Sequence, residues 1–235
     1  MKLLHDKPLP ASQGRPSSAT ERVLAATRRA IVELELPPGS MIDKIMLCER
    51  FGVSRFPVSD ALTRLQSEGL VEVLPQRGTR VTRIHMADIA QAMFIRRALE
   101  VEMVRTLAPH MSEDLRMRLE MNIGYQEVTI ARADPRAFHQ LDLTFHEMLL
   151  EALNYPRVAA AVDAARHSLE RARRMLSSPQ RHANTLAEHK AIVAALTAKH
   201  ADAAAEAMKN HLDAVLSEIV TFMKIDPSAF ETPES

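Results

Sequence analysis

Two spacings of apolar residues divide the chain. Beyond residue 85 they recur every three or four positions, as in helices with one buried face. Before it the helical stretches are short, and one region alternates instead. Over the later part the periodicity predicts six helices, at about 86–108, 112–132, 136–153, 157–177, 182–199 and 202–224. The breaks are PHMS, ADP, NYP, SSPQ and KHAD. Breaks this short make successive helices antiparallel neighbours, so an antiparallel all-helical bundle is expected.

The first 84 residues are more punctuated. A helix capped by Ser18 or Thr20 is expected to run to about Leu36, with Val23, Ala26 or Thr27, Ala30, Ile31 and Leu34 on one side, before PPG breaks it. A short helix over about Asp43–Phe51 stops at Gly52. Another opens near Ser54–Pro57 and runs to Glu68, with Gly69 as its stop. LVEVL and TRVTRI, joined by PQRG, read as a two-stranded hairpin. Helix, helix, turn, helix and hairpin in this order make a winged helix-turn-helix. The expected organisation is a flexible arm over 1–18, a winged helix-turn-helix over 19–84, the helical domain over 85–226 and a frayed tail over 227–235. The fold class is mainly α.

Composition adds little until it is resolved along the chain. Formal net charge is zero, but residues 1–84 hold 13 lysines and arginines against 9 acidic residues, and the rest holds 17 against 21. A mildly basic first third is compatible with a nucleic-acid module. Six glycines and two tyrosines suit a helical protein. The single cysteine, Cys48, excludes an intrachain disulfide and fits a reducing, cytoplasmic setting. No apolar run approaches the ~20 residues of a membrane span, and the N-terminus lacks the apolar core of a secretory signal. No membrane partner is expected.

In a helix-turn-helix the second helix lies in the major groove with its first turn on the bases. Arg55, Ser59 and Arg64 are then the natural contacts with double-stranded DNA, and Arg77 and Gly78 at the hairpin tip reach the backbone or minor groove. The run LELPPGSMIDKIMLCERFGVSRFPVSDALTRLQSEGLVEVLPQRGTRV resembles the DNA-binding domain of the GntR family of bacterial transcription regulators, over residues 20–83. Phe56 stands where that family usually has threonine, Ser59 where it usually has arginine, and Lys44 where glutamate is common.

In the helical part, Asp142 and His146 sit one turn apart on the edge of the stripe Phe138, Leu141, Phe145, Leu149, Leu153. His189 and His211 lie on the buried stripes of the last two helices, 22 positions apart, with the break between them falling midway. Folding there sets the two imidazoles at one height. Three imidazoles and a carboxylate suit a divalent Zn, Ni, Mn or Fe ion. A buried Asp142–His146 ion pair, with the other histidines hydrogen-bonded in the core, is the plainer alternative. DLTFH, AEHKAIV and MKNHL resemble the FCD effector domain of the FadR subfamily, and the six helices its shorter, VanR-like branch. The resemblance implies Asp142, His146, His189 and His211 as metal ligands, a small carboxylate effector, a homodimer and control of transcription, by default as a repressor. Arg96, on an inward stripe in IRRALEVEMV, is a candidate to hold the effector; a structural pair with Glu100 is the alternative. Catalysis is not expected. A metal-dependent enzyme acting on a small acid and a metal-free effector-binding regulator are the rival functions.

Overall fold

The computed structural model describes residues 18–231. The arm expected over 1–18 falls outside them except for Ser18, as do residues 232–235 of the expected tail. The chain is mainly α-helical and divides into two compact units, one formed up to His85 and again from Asp226, the other by Met86–Ile225.

In the first unit, helix α1 (Ala19–Val32) opens on Ser18, whose hydroxyl accepts from the Glu21 amide at 3.1 Å. It ends short of Leu36, because Leu34 takes a left-handed φ of 62° and the Leu36 amide turns back to the Ala30 carbonyl. Strand β1 (Met41–Ile42) leads to α2 (Lys44–Phe51), capped by the Asp43 carboxylate, which accepts from the amides of Ile45 and Met46. Gly52 terminates α2 at φ 62°, a conformation glycine adopts without strain. Then follow α3 (Arg55–Ser67), β2 (Val71–Leu74) and β3 (Gly78–Val81). Val23, Ile31, Leu47, Val58, Leu62, Leu65 and Val81 form the core that fixes the helices against the sheet.

Three expectations for this unit need correction. The wing is a three-stranded antiparallel sheet in the order β1-β3-β2, with Met41 and Ile42 opposite Arg80 and Thr79. TRVTRI is not one strand: β3 ends at Val81, where the Thr82 amide and hydroxyl turn to the carbonyls of Leu70 and Gly69, and Ile84–His85 form a separate β4. The tail, expected to fray, folds through residue 231. Pro227–Ala229 make a 3-10 turn capped by Asp226, and β5 (Phe230–Glu231) pairs in parallel with β4, burying the Phe230 ring. Arg83 Nε donates to the Ser228 carbonyl at 3.1 Å. Phe230 supplies the apolar burial that holds so short a strand.

The second unit comprises α4 (Met86–Leu107), α5 (Glu113–Ala131), α6 (Pro135–Leu153), α7 (Pro156–Met175), α8 (Pro179–Thr197) and α9 (Ala201–Ile225). Ser112, Asp134 and Ser178 cap α5, α6 and α8, and proline opens α6, α7 and α8 where no amide partner is lost. Lys199, left-handed at φ 57°, turns the chain between α8 and α9. The ion pairs Arg97–Asp213 and Arg105–Asp202 descend one helix as they climb the other, so α4 and α9 are antiparallel. Leu119, Phe145, Leu149, Leu169, Ile192, Leu196 and Met208 fill the centre. No described helix is long and apolar enough to cross a membrane.

Candidate metal centre and recognition helix

Asp142 and His146 face inward from one side of α6 because four residues make just over one turn. His189 comes from the middle of α8 and His211 from the middle of α9, about equally far from the turn at Lys199. All four are buried, and one ligand atom from each lies within 4.8 Å of the other three. The imidazoles crowd one another, with ring centroids 4.9 Å apart for His189–His211, 5.3 Å for His146–His211 and 5.6 Å for His146–His189. Phe145 stacks on His189 at 4.0 Å and fixes its plane.

Each of the four is held from behind. His189 Nδ1 lies 3.0 Å from Gln126 Oε1; Gln126 Nε2 donates to Asn122 Oδ1, and Asn122 Nδ2 to the Leu141 carbonyl. His211 Nδ1 lies 2.7 Å from Glu188 Oε2, itself gripped by Arg181. His146 Nδ1 stands 2.7 Å from Glu100 Oε2, a close contact out of line for a hydrogen bond. Arg173 donates to Asp142 Oδ2 at 2.5 Å. The atoms left over are Asp142 Oδ1 and the Nε2 atoms of His146, His189 and His211, all buried and all without a hydrogen-bond partner. His189 Nε2 and Asp142 Oδ1 are 3.7 Å apart. Buried polar atoms are normally satisfied, so four orphans converging on one point call for an electrophile.

The electrostatics suit a cation. Burial lowers the pKa of His146 and takes those of His189 and His211 well below the ordinary histidine value, favouring the neutral ligand form. Burial alone would raise Asp142, but the Arg173 guanidinium holds it well below the usual carboxylate range. Glu100 is likewise pushed up by burial and pulled well below by Arg96. The residues present therefore fit a divalent ion.

Arg96 is fully buried in the same region. Its Nε donates to Glu100 Oε1 at 2.6 Å, the structural pairing weighed from the sequence, yet its Nη1 has no partner. Arg166 Nε and Arg173 Nη1, from α7, are also buried and unpaired. Three guanidiniums thus face two carboxylates, Glu100 and Asp142. Burial and the charge of Arg96 lower the Arg166 pKa.

Sequence reasoning reached the four converging residues and Arg96. It missed Gln126, Glu188, Arg166 and Arg173, which sit behind or beside them. The available signal was the inward stripe of α5 and α7, where a charged or amide residue recurs among apolar ones.

In the first unit, Arg55, Phe56, Ser59 and Thr63 share the exposed face of α3. Arg64 lies off that face. Its guanidinium pairs with Glu21 on α1 at 2.7 Å and with Asp60 at 3.3 Å. Gln76 and Gly78 at the wing tip both have positive φ, 59° and 107°, leaving Arg77 exposed between them.

Comparison with known proteins matches residues 19–81 to the gntR family of bacterial regulatory proteins and residues 91–214 to the FCD domain. The HTH-type transcriptional repressor RspR of Escherichia coli (strain K12) is 30% identical over 203 residues, covering 85% of this chain and 88% of that protein. A transcriptional regulator from an unstable DNA locus of Streptomyces ambofaciens is 33% identical over 209 residues, covering 87% and 86%. The solved structure of a GntR regulator from Rhodococcus sp. RHA1, 24% identical, superposes with a TM-score of 0.70 over 87% of this chain and 99% of that one, which shows the shared fold.

Proposed function

Since the chain belongs to the gntR family of bacterial regulatory proteins and carries an FCD domain, it is a DNA-binding transcription regulator and not an enzyme; we propose that it is a repressor whose operator affinity is set by a small carboxylate bound at a divalent metal ion in the bundle. The observation that carries this reading is the set of four buried, unpartnered ligand atoms on Asp142, His146, His189 and His211, each side chain oriented by a second group. Bound there, an ion such as Zn, Ni, Mn or Fe would supply Lewis acidity toward a ligand oxygen.

The unpaired donors of Arg96, Arg166 and Arg173 support an anionic effector, because a carboxylate answers buried, unpaired N–H groups in a place where water is scarce. The named role of RspR supports repression. A homodimer on a two-fold operator follows from the reach of one short recognition helix, which reads only a few bases. The effector controls the output by binding the DNA-competent and incompetent states with different affinity.

The test is metal analysis of protein purified without chelator, followed by calorimetry with candidate carboxylic acids. About one ion per chain is expected, with acid binding lost on chelation. Fewer than about 0.1 ions per chain with acid binding intact refutes the metal and leaves the histidines as direct effector contacts.

A further inference from the structure

Phe56 is 78% exposed in the first turn of α3, and the fold draws no core packing from it. Leaving a phenylalanine in water forgoes about 1.5–3 kcal/mol of burial, so a ring in that position calls for an occupant. Its neighbours on the exposed face are Arg55, Ser59 and Thr63. The last two are short, which leaves the ring and the Arg55 guanidinium as the tallest features there. Side chains on a helix lean toward its N-terminus, so both project from the end of α3 that meets the base edges when such a helix enters the major groove.

A phenyl ring neither donates nor accepts a conventional hydrogen bond. Set against a guanine, adenine or cytosine edge, it strands the N7, O6, N6 or N4 group that it desolvates. The one apolar group that the major groove offers is the C5-methyl of thymine. We propose that Phe56 reads a thymine in each operator half-site through that methyl group, with Arg55 beside it supplying the phosphate or guanine contact. The ring selects by apolar match and by rejecting edges whose polar atoms it would leave unpaired. This inference rests on DNA binding through α3 and is independent of the metal and effector.

The experiment uses the full-length protein. Duplex sites are first selected by binding from a random-sequence pool. Each thymine of the selected site is then replaced singly by deoxyuridine, which removes only the methyl group, and affinities are compared at one salt concentration. One thymine per half-site is expected to weaken binding by about threefold to fivefold when replaced, the effect of one methyl group withdrawn from apolar contact. Phe56→Asn is expected to bind the thymine and uracil forms of that position alike. Its melting temperature should match that of the unsubstituted protein, because the ring is largely exposed and lies outside the core. The proposal is overturned if selected sites hold no fixed thymine, if no replacement matters, or if Phe56→Asn keeps the same methyl dependence. Failure to bind any duplex more tightly than the random pool removes DNA reading by α3 altogether, a distinct result.

Discussion

On the proposed reading, stripping the metal from the purified protein leaves Asp142 Oδ1 and three imidazole Nε2 atoms facing one another in the core. Each buried, unsatisfied polar group costs about 1–3 kcal/mol. The low end applies where side chains relax or water enters, so four of them amount to roughly 4 kcal/mol. Linkage gives the same scale independently: an ion held at a thousand times its Kd stabilises the fold by about 4 kcal/mol. For a unit of this size each kcal/mol moves the melting temperature by about 2–4 °C, so chelation should lower the bundle transition by roughly 10 °C. The assay is thermal unfolding followed by circular dichroism, on protein dialysed against chelator and then freed of it. Metals are added back one at a time. Zn, Ni, Mn and Fe should restore the transition to different degrees, ranking the ions. A shift of less than about 2 °C, or no recovery with any ion, refutes the view that these atoms are ligands.

Three further outcomes are expected. His189→Ala should lower metal content and acid response together; stoichiometric metal in that variant means the ligand set is wrong. Arg55→Ala should weaken binding to selected operator DNA by roughly 5- to 150-fold, the worth of one bidentate arginine contact, while leaving metal content unchanged; equal affinity removes Arg55 from the interface. Glu170 gives a pH signature. Burial alone would raise its pKa, but the hydrogen bond from His139 at 2.6 Å and the charges of His139 and Arg174 bring it to about 2, below the ordinary 4.5. The folded value lies below the unfolded one, so this stabilisation is full above about pH 4.5 and fades as pH falls toward 2. It amounts to roughly 2–3 kcal/mol. Urea unfolding of Glu170→Gln should show a shallower acid limb than the unsubstituted protein, and coincident limbs would contradict this account.

The helices of the bundle were legible because their breaks carry strong local chemistry. Pro135, Pro156 and Pro179 each open a helix, and Ser112, Asp134 and Ser178 cap the ends that propensity alone leaves vague. The convergence of Asp142, His146, His189 and His211 followed from periodicity plus one antiparallel turn. What stayed hidden depends on which side chain meets which across helices. Glu188 precedes His189, so the helical period sends it about 100° aside; only its length and the closeness of α9 bring it to His211. Gln126 reaches His189 from a helix 63 residues earlier in the chain. Arg64 is expected at the DNA from its place on the groove-facing helix; its pairing with Glu21 on another helix is the part that the sequence does not show. Strands β1 and β5 have two residues each, too few to carry a period.

The pairing of β4 with β5 makes the bundle an insertion between two strands of one ladder. Closing a loop of about 140 residues costs an unfolded chain roughly 4 kcal/mol in entropy. Two residue pairs cannot offset that. The folded bundle does it for them, because antiparallel α4 and α9 bring Met86 and Ile225 to the same end. The ladder therefore draws on the bundle for the closure of its loop and on the buried Phe230 ring for its hold. Truncating the chain before Phe230, or fusing a bulky tag directly behind it, acts on the unit that holds the recognition helix and not on the helices from which that tail emerges.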